Sequence, residues 1–171
     1  MRSRSEKIDL FTQVTQYHES IGLLRTEFDR LAVFLAENDR KLSYEKFTAL
    51  FRIHFFDHFR FEESVVFPAL LTWKNSSEYR SMIDNYLLAH RRMLETGAEI
   101  LRLFSDDDGV PEEERVTRVL GLLGSLHDRI MRHADDENRN LVPLVSQNSA
   151  LRFLTGRNFA MYRRKLAREK H

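Results

Sequence analysis

At 171 residues, 42% hydrophobic and 31% charged, the chain is long enough for one well-buried core and short for two, so a single soluble domain is expected. A formal charge of +1 gives no broad electrostatic reason to bind nucleic acid, and the absence of cysteine excludes disulfides, thiolate nucleophiles and cysteine-held iron–sulfur clusters. Six glycines and three prolines among long stretches rich in Leu, Glu, Arg and Phe predict an all-α protein; no run of about 18 apolar residues and no signal-peptide core is present, so a cytoplasmic protein without a membrane partner is expected.

The first predicted helix runs from about Ile8 to Glu37, with an apolar seam of Phe11, Val14, Ile21, Leu24, Phe28, Leu31 and Leu35 that His18 interrupts. A polar connection ends on Ser43, the expected N-cap, and a second helix from Tyr44 to near Trp73 carries Phe47, Phe51, His54, His58, Glu62 and Val65 on its seam. Pro68 lies late in this helix and is expected to kink or end it. After the turn signal Asn75-Ser76-Ser77 a third helix reaches about Phe104, with His90 standing among Ile83, Leu87, Leu94 and Leu101. The stretch from Ser105 to Pro111 is the clearest loop. Pro111 and the glutamates 112 to 114 then open a fourth helix with the seam Val119, Leu123, Leu126, Ile130, His133, Glu137 and Leu141. From Asn148 the pattern changes, and a short fifth helix with a frayed basic end is expected. Short links between four helices of similar length predict up-down-up-down neighbours, a four-helix bundle over residues 1–146 with a C-terminal helical extension over 147–171 packed on it.

Two HxxxE pairs stand out, His58 with Glu62 and His133 with Glu137, each followed six residues after the glutamate by a proline, Pro68 and Pro143. Residues four apart on a helix lie about 40° apart around the axis and one turn along it, so both members of a pair can reach one ion. A single seam histidine such as His90 is ordinarily a hydrogen-bonded core residue. Six ligand-type residues together, His18, His58, Glu62, His90, His133 and Glu137, are another matter. Burying them without a cation costs several kcal/mol per unpaired charge, on the order of the whole stability of a domain. A metal centre removes that cost, and six such groups suit two ions better than one. Imidazole and carboxylate without thiolate suit iron, manganese or zinc, and carboxylate bridges favour iron.

Near these residues, His54 precedes His58 by one turn and is a seventh ligand, a neighbour supporting one, or a hydrogen-bonded core histidine, and His127 sits on the flank of the fourth helix. Glu19, Glu63 and Tyr17 adjoin ligands in sequence and point elsewhere on a regular helix, though each could swing in to support a ligand. The phenylalanines 51, 55, 56, 59, 61 and 67 are expected to pack between helices and, around a metal centre, to keep it dry and limit access to small ligands.

The pattern of His18, His58-xxx-Glu62, His90 and His133-xxx-Glu137 resembles the hemerythrin-like HHE cation-binding family over nearly the whole chain up to about Pro143. The resemblance implies a four-helix bundle with two iron ions, His18 and His58 on one, His90 and His133 on the other, and Glu62 and Glu137 bridging. Oxygen-carrying members have HxxxH on the third helix and HxxxxD on the fourth; here Leu94 stands four after His90 and the fourth helix carries HxxxE. That pattern is closer to the family's iron-repair and nitric-oxide-responsive members, without their cysteine. The function so implied is to bind, sense or reduce a small species such as dioxygen, nitric oxide or peroxide. The alternatives are an iron donor or storage protein serving metal homeostasis or iron-centre repair, and a structural metal bundle acting as an interaction module. A homodimer, or a redox or iron-transfer partner, is compatible with each.

Overall fold

The computed structural model describes residues 24, 26–35, 39–105 and 111–169, excluding the side chains of Ile53, His54 and Glu169. Helix α1 covers 26–35. Helix α2 is a continuous rod of three α-helical segments, Arg40–Phe51, Asp57–Phe61 and Phe67–Trp73, joined by π-helical turns at Arg52–Phe56 and Glu62–Val66. Helices α3, α4 and α5 span Ser77–Ser105, Glu112–Gln147 and Ser149–Glu169. Among the described residues there is no strand, as the composition predicts, and no helix is long and apolar enough to cross a membrane. The predicted loop between α3 and α4 and most of the first predicted helix, His18, Glu19 and Tyr17 included, lie outside the described residues.

Local chemistry sets the helix starts, and three expectations change. Asp39, not Ser43, caps α2: its Oδ1 accepts from the Leu42 amide at 3.0 Å, while Ser43 is buried one turn inside the helix. Pro68 does not end the rod. It takes one of the first positions of the segment after the π-turn, where a missing N–H costs little because the turn has already shifted the hydrogen-bond frame. The C-terminal helix is not short: it has 21 residues, opened by Asn148, whose Oδ1 accepts from the Leu151 amide at 2.9 Å. Its covered face includes the polar Thr155 and Asn158 beside Leu151, so it shows little apolar periodicity in the sequence.

Side-chain pairs give the sense of packing. From one end of α2 to the other, Phe47 meets Phe104, Phe51 lies on Gly97, Phe59 stacks on His90 and Phe67 on Tyr86, so α2 and α3 run antiparallel. Between α3 and α4, Arg115 donates to the Leu103 carbonyl, Arg118 pairs with Glu99, and His90 and Tyr86 reach His133, which is again antiparallel. The C-terminal carbonyls of α3 are capped from both neighbours, Leu103 by Arg115 at 3.1 Å and Phe104 by Arg40 at 2.9 Å. Two apolar clusters fill the interior. One contains Leu31, Phe47, Phe55, Ile100 and Leu126; the other contains Phe61, Leu70, Ile83, Leu141 and Leu151. The buried polar residues His58, Glu62, His90, His133 and Glu137 belong to neither.

Candidate metal centre

Helix α2 brings His58 and Glu62 inward from its middle segment and its second π-turn, α3 brings His90, and α4 brings His133 and Glu137. All five are buried, His133 being the most exposed at 8%. One donor atom from each of Glu62, His90, His133 and Glu137 lies within 4.8 Å of all the others. Opposite ligands of a single ion stand about 4.2 Å apart, so this donor set is already close to coordination distance.

The carboxylates divide their oxygens between two sides. Glu62 places Oε1 3.3 Å from His58 Nε2 and Oε2 3.3 Å from His90 Nε2. Glu137 places Oε1 3.1 Å from His133 Nε2 and Oε2 3.8 Å from His58 Nε2. Each glutamate thus faces His58 with one oxygen and the His90–His133 pair with the other.

The two imidazoles of that pair meet Nε2 to Nε2 at 2.9 Å. Two nitrogens each about 2.1 Å from one ion at a right angle stand about 3.0 Å apart. His90 Nδ1 donates to Glu63 Oε1 at 2.8 Å, which in a neutral ring leaves Nε2 as a lone pair turned toward His133 and Glu62. Sequence spacing pointed Glu63 away from the site; the structure turns it onto His90 from the flank, with its own side chain 41% exposed. Its Oε1 holds the ring in the tautomer that a metal requires.

Electrostatics favour the uncharged state of these groups in the absence of a cation. Burial first, and the Glu137 carboxylate second, hold the Glu62 carboxyl well above its ordinary value. Burial, reinforced by His133, pushes the His90 imidazole down to about 3. Glu62 Oε2 is buried and accepts no hydrogen bond from the described residues. A pair of buried carboxyl groups facing each other beside the neutral His90 imidazole fits a cation better than a satisfied polar network.

Aromatic rings close the site. Phe59 lies flat on His90 with centroids 3.9 Å apart and planes 10° from parallel, and Phe67 flanks the same ring at 5.9 Å. Phe61, next in sequence to Glu62, packs edge-on against Phe159 and Tyr162 of α5. Phe56, also expected inside, is 51% exposed. Helix α5 reaches the centre indirectly, because buried Asn158 donates to the Val65 carbonyl within the π-turn that carries Glu62. His127 lies away from the site against Phe28, and Leu94 packs on the first apolar cluster. The side chain of His54, like His18, lies outside the described residues.

No curated protein and no solved structure matches the chain. A family model described as the hemerythrin HHE cation binding domain matches residues 9–145 and so contains every one of these converging side chains. That match extends over most of the sequence, and its cation-binding description agrees with a buried Glu–His–His–Glu cluster able to hold a metal; the chain therefore belongs to the hemerythrin HHE cation-binding family.

Proposed function

We propose that the protein holds two iron ions between the four helices of an up-down-up-down bundle and uses them to bind, sense or reduce a small species such as dioxygen, nitric oxide or peroxide. The observation that carries this reading is the divided arrangement of Glu62 and Glu137, each turning one oxygen to His58 and the other to the His90–His133 pair. Two carboxylates so placed suit two ions side by side, with His58 on one side, joined there by His18, and His90 and His133 on the other. The bundle proper is read as residues 1–146, with 147–171 as its docked extension. When bound, the iron pair supplies a redox-active Lewis acid with room for one small ligand.

The chain's own residues set the conditions for that chemistry. Glu63 fixes the His90 tautomer, and Phe59 and Phe67 fix the ring plane and exclude water from it. Tyr86, whose ring meets His133 edge-on at 5.4 Å, keeps its phenol proton because burial and the neighbouring Asp136 carboxylate raise it. It therefore remains a neutral donor beside the centre.

The test is elemental analysis of protein from iron-supplemented cells, with spectra recorded with and without oxygen and azide. About two irons per chain and azide-sensitive near-ultraviolet bands are expected, and His18→Ala should lower the iron content. Zinc alone, or no metal after anaerobic iron reconstitution, overturns the reading. Iron that leaves to a mild chelator, with no response to azide or oxygen, moves it to an iron donor or reservoir.

A further inference from the structure

On the face of α3 and α4 nearest His133 there is a cleft of about 300 Å³ whose walls include Arg92, Arg129, Arg132, Tyr86 and Asp136. Three guanidiniums face one carboxylate there. Asp136 is already engaged, accepting from Asn140 Nδ2 at 2.9 Å and lying beside the Tyr86 hydroxyl. Arg132 spends only its Nε, on the Asp128 carbonyl at 3.1 Å. Neither the Arg92 nor the Arg129 guanidinium forms an ion pair or hydrogen bond with the described residues; Arg92 is exposed, while Arg129 is half-buried with its Nε buried and without a partner. The half-buried Arg129 guanidinium calls for an acceptor, and the exposed fork of Arg92 is free to share it.

We propose that this cleft binds a small oxyanion beside the largely buried ring of His133, held by the forks of Arg92 and Arg129. Guanidinium geometry matches two oxygens of one planar or tetrahedral group, which describes both an inorganic oxyanion and the carboxylate of a small organic acid. The size of the cleft and a net charge of only +1 for the whole chain fit a small free anion; an acidic polymer would need a wider basic field. The site goes beyond the di-iron reading and does not depend on it, because the cleft's charge comes from arginines and not from a metal.

The experiment titrates metal-free and iron-loaded protein separately with inorganic phosphate and with acetate, followed by calorimetry and by the amide resonances of α3 and α4. Saturable binding of one anion per chain is expected in both forms. Arg92→Gln and Arg129→Gln should each weaken it by about tenfold or more, while Arg118→Gln, which removes only the exposed pair with Glu99, should leave it unchanged. Preference for phosphate assigns the site to inorganic oxyanions, and preference for acetate to organic acids. If Arg129→Gln does not fold, Arg92→Gln decides alone. Absence of saturable binding at millimolar anion overturns the proposal. So does binding that appears only in the iron-loaded protein and ignores both arginine variants, since the anion is then on the metal. Failure of the chain to take up iron leaves the measurement on metal-free protein intact.

Discussion

Glu62 and Glu63 are adjacent in sequence and point about 100° apart on a regular helix, yet both end on the same imidazole. Glu62 Oε2 meets His90 at Nε2, while Glu63 accepts the Nδ1 proton from the flank. A carboxylate in that position raises the basicity of the ligating nitrogen and fixes its direction. Glu63→Ala is therefore expected to lower metal affinity about tenfold to a hundredfold, read by competition with a chelator of known strength. The metal-free protein should lose about 1–3 kcal/mol of stability as well, because the buried His90 Nδ1 is left without its acceptor. Unchanged affinity would remove Glu63 from the centre. The contacts with Phe59 and Phe67 do not substitute for it, since rings stacked on the faces of His90 fix its plane but not its tautomer.

At the scale of the element, α2 shows what the sequence could and could not disclose. Phe47, Phe51, Phe55 and Phe59 form a row at strict four-residue spacing, with neighbouring centroids 5.5 to 6.1 Å apart. On an uninterrupted α-helix such a row drifts about 40° per step, and the wider π-turn at Arg52–Phe56, inside the row, offsets part of that drift. The row is packed against α3 so closely that a Cβ on Gly97 would come within 2.0 Å of the Phe51 ring, which Phe47 and Phe55 hold from both sides. Gly97→Ala gains helix propensity of about 1 kcal/mol but forces the row to move, and net destabilisation of about 1–2 kcal/mol is expected in chemical denaturation. A stabilised variant would show that the row yields freely. Asn158 gives the second test of this helix: replacing it with Leu leaves the buried Val65 carbonyl without its donor and should cost about 1–3 kcal/mol. His58, Glu62, His90, His133 and Glu137 were legible in the sequence because each puts a polar group on an apolar seam. The π-turns and the Asp39 cap were not, because they depend on hydrogen-bond frames that periodicity does not describe; Glu63 was legible only as a group able to swing in, because the imidazole it meets lies on a partner helix.

Across the whole molecule, two apolar clusters flank a layer of buried His and Glu, so the interior is stabilised at its ends and destabilised in its middle unless a cation occupies that layer. The pH dependence of the metal-free protein follows from two opposed groups. Glu62, raised in the fold, keeps a proton that the unfolded chain releases, so its contribution to stability is lost as pH rises from the ordinary carboxylate range toward its folded value. His90, pushed down to about 3, acts in the other sense: its contribution is present above the ordinary imidazole range and is lost as pH falls through that range toward 3. Metal binding takes the place of the Glu62 proton, so the loaded protein escapes the first loss. At free metal about a thousand times the dissociation constant the stabilisation is about 4 kcal/mol, which for a chain of this length is a melting difference on the order of 10 °C. Scanning calorimetry of chelated and loaded protein should show that gap at neutral pH, widening as pH is raised and closing in acid, where the ligands protonate. Coincident melting curves at every pH would mean that the buried layer is self-sufficient, and that the convergence of its five side chains is packing without a cation.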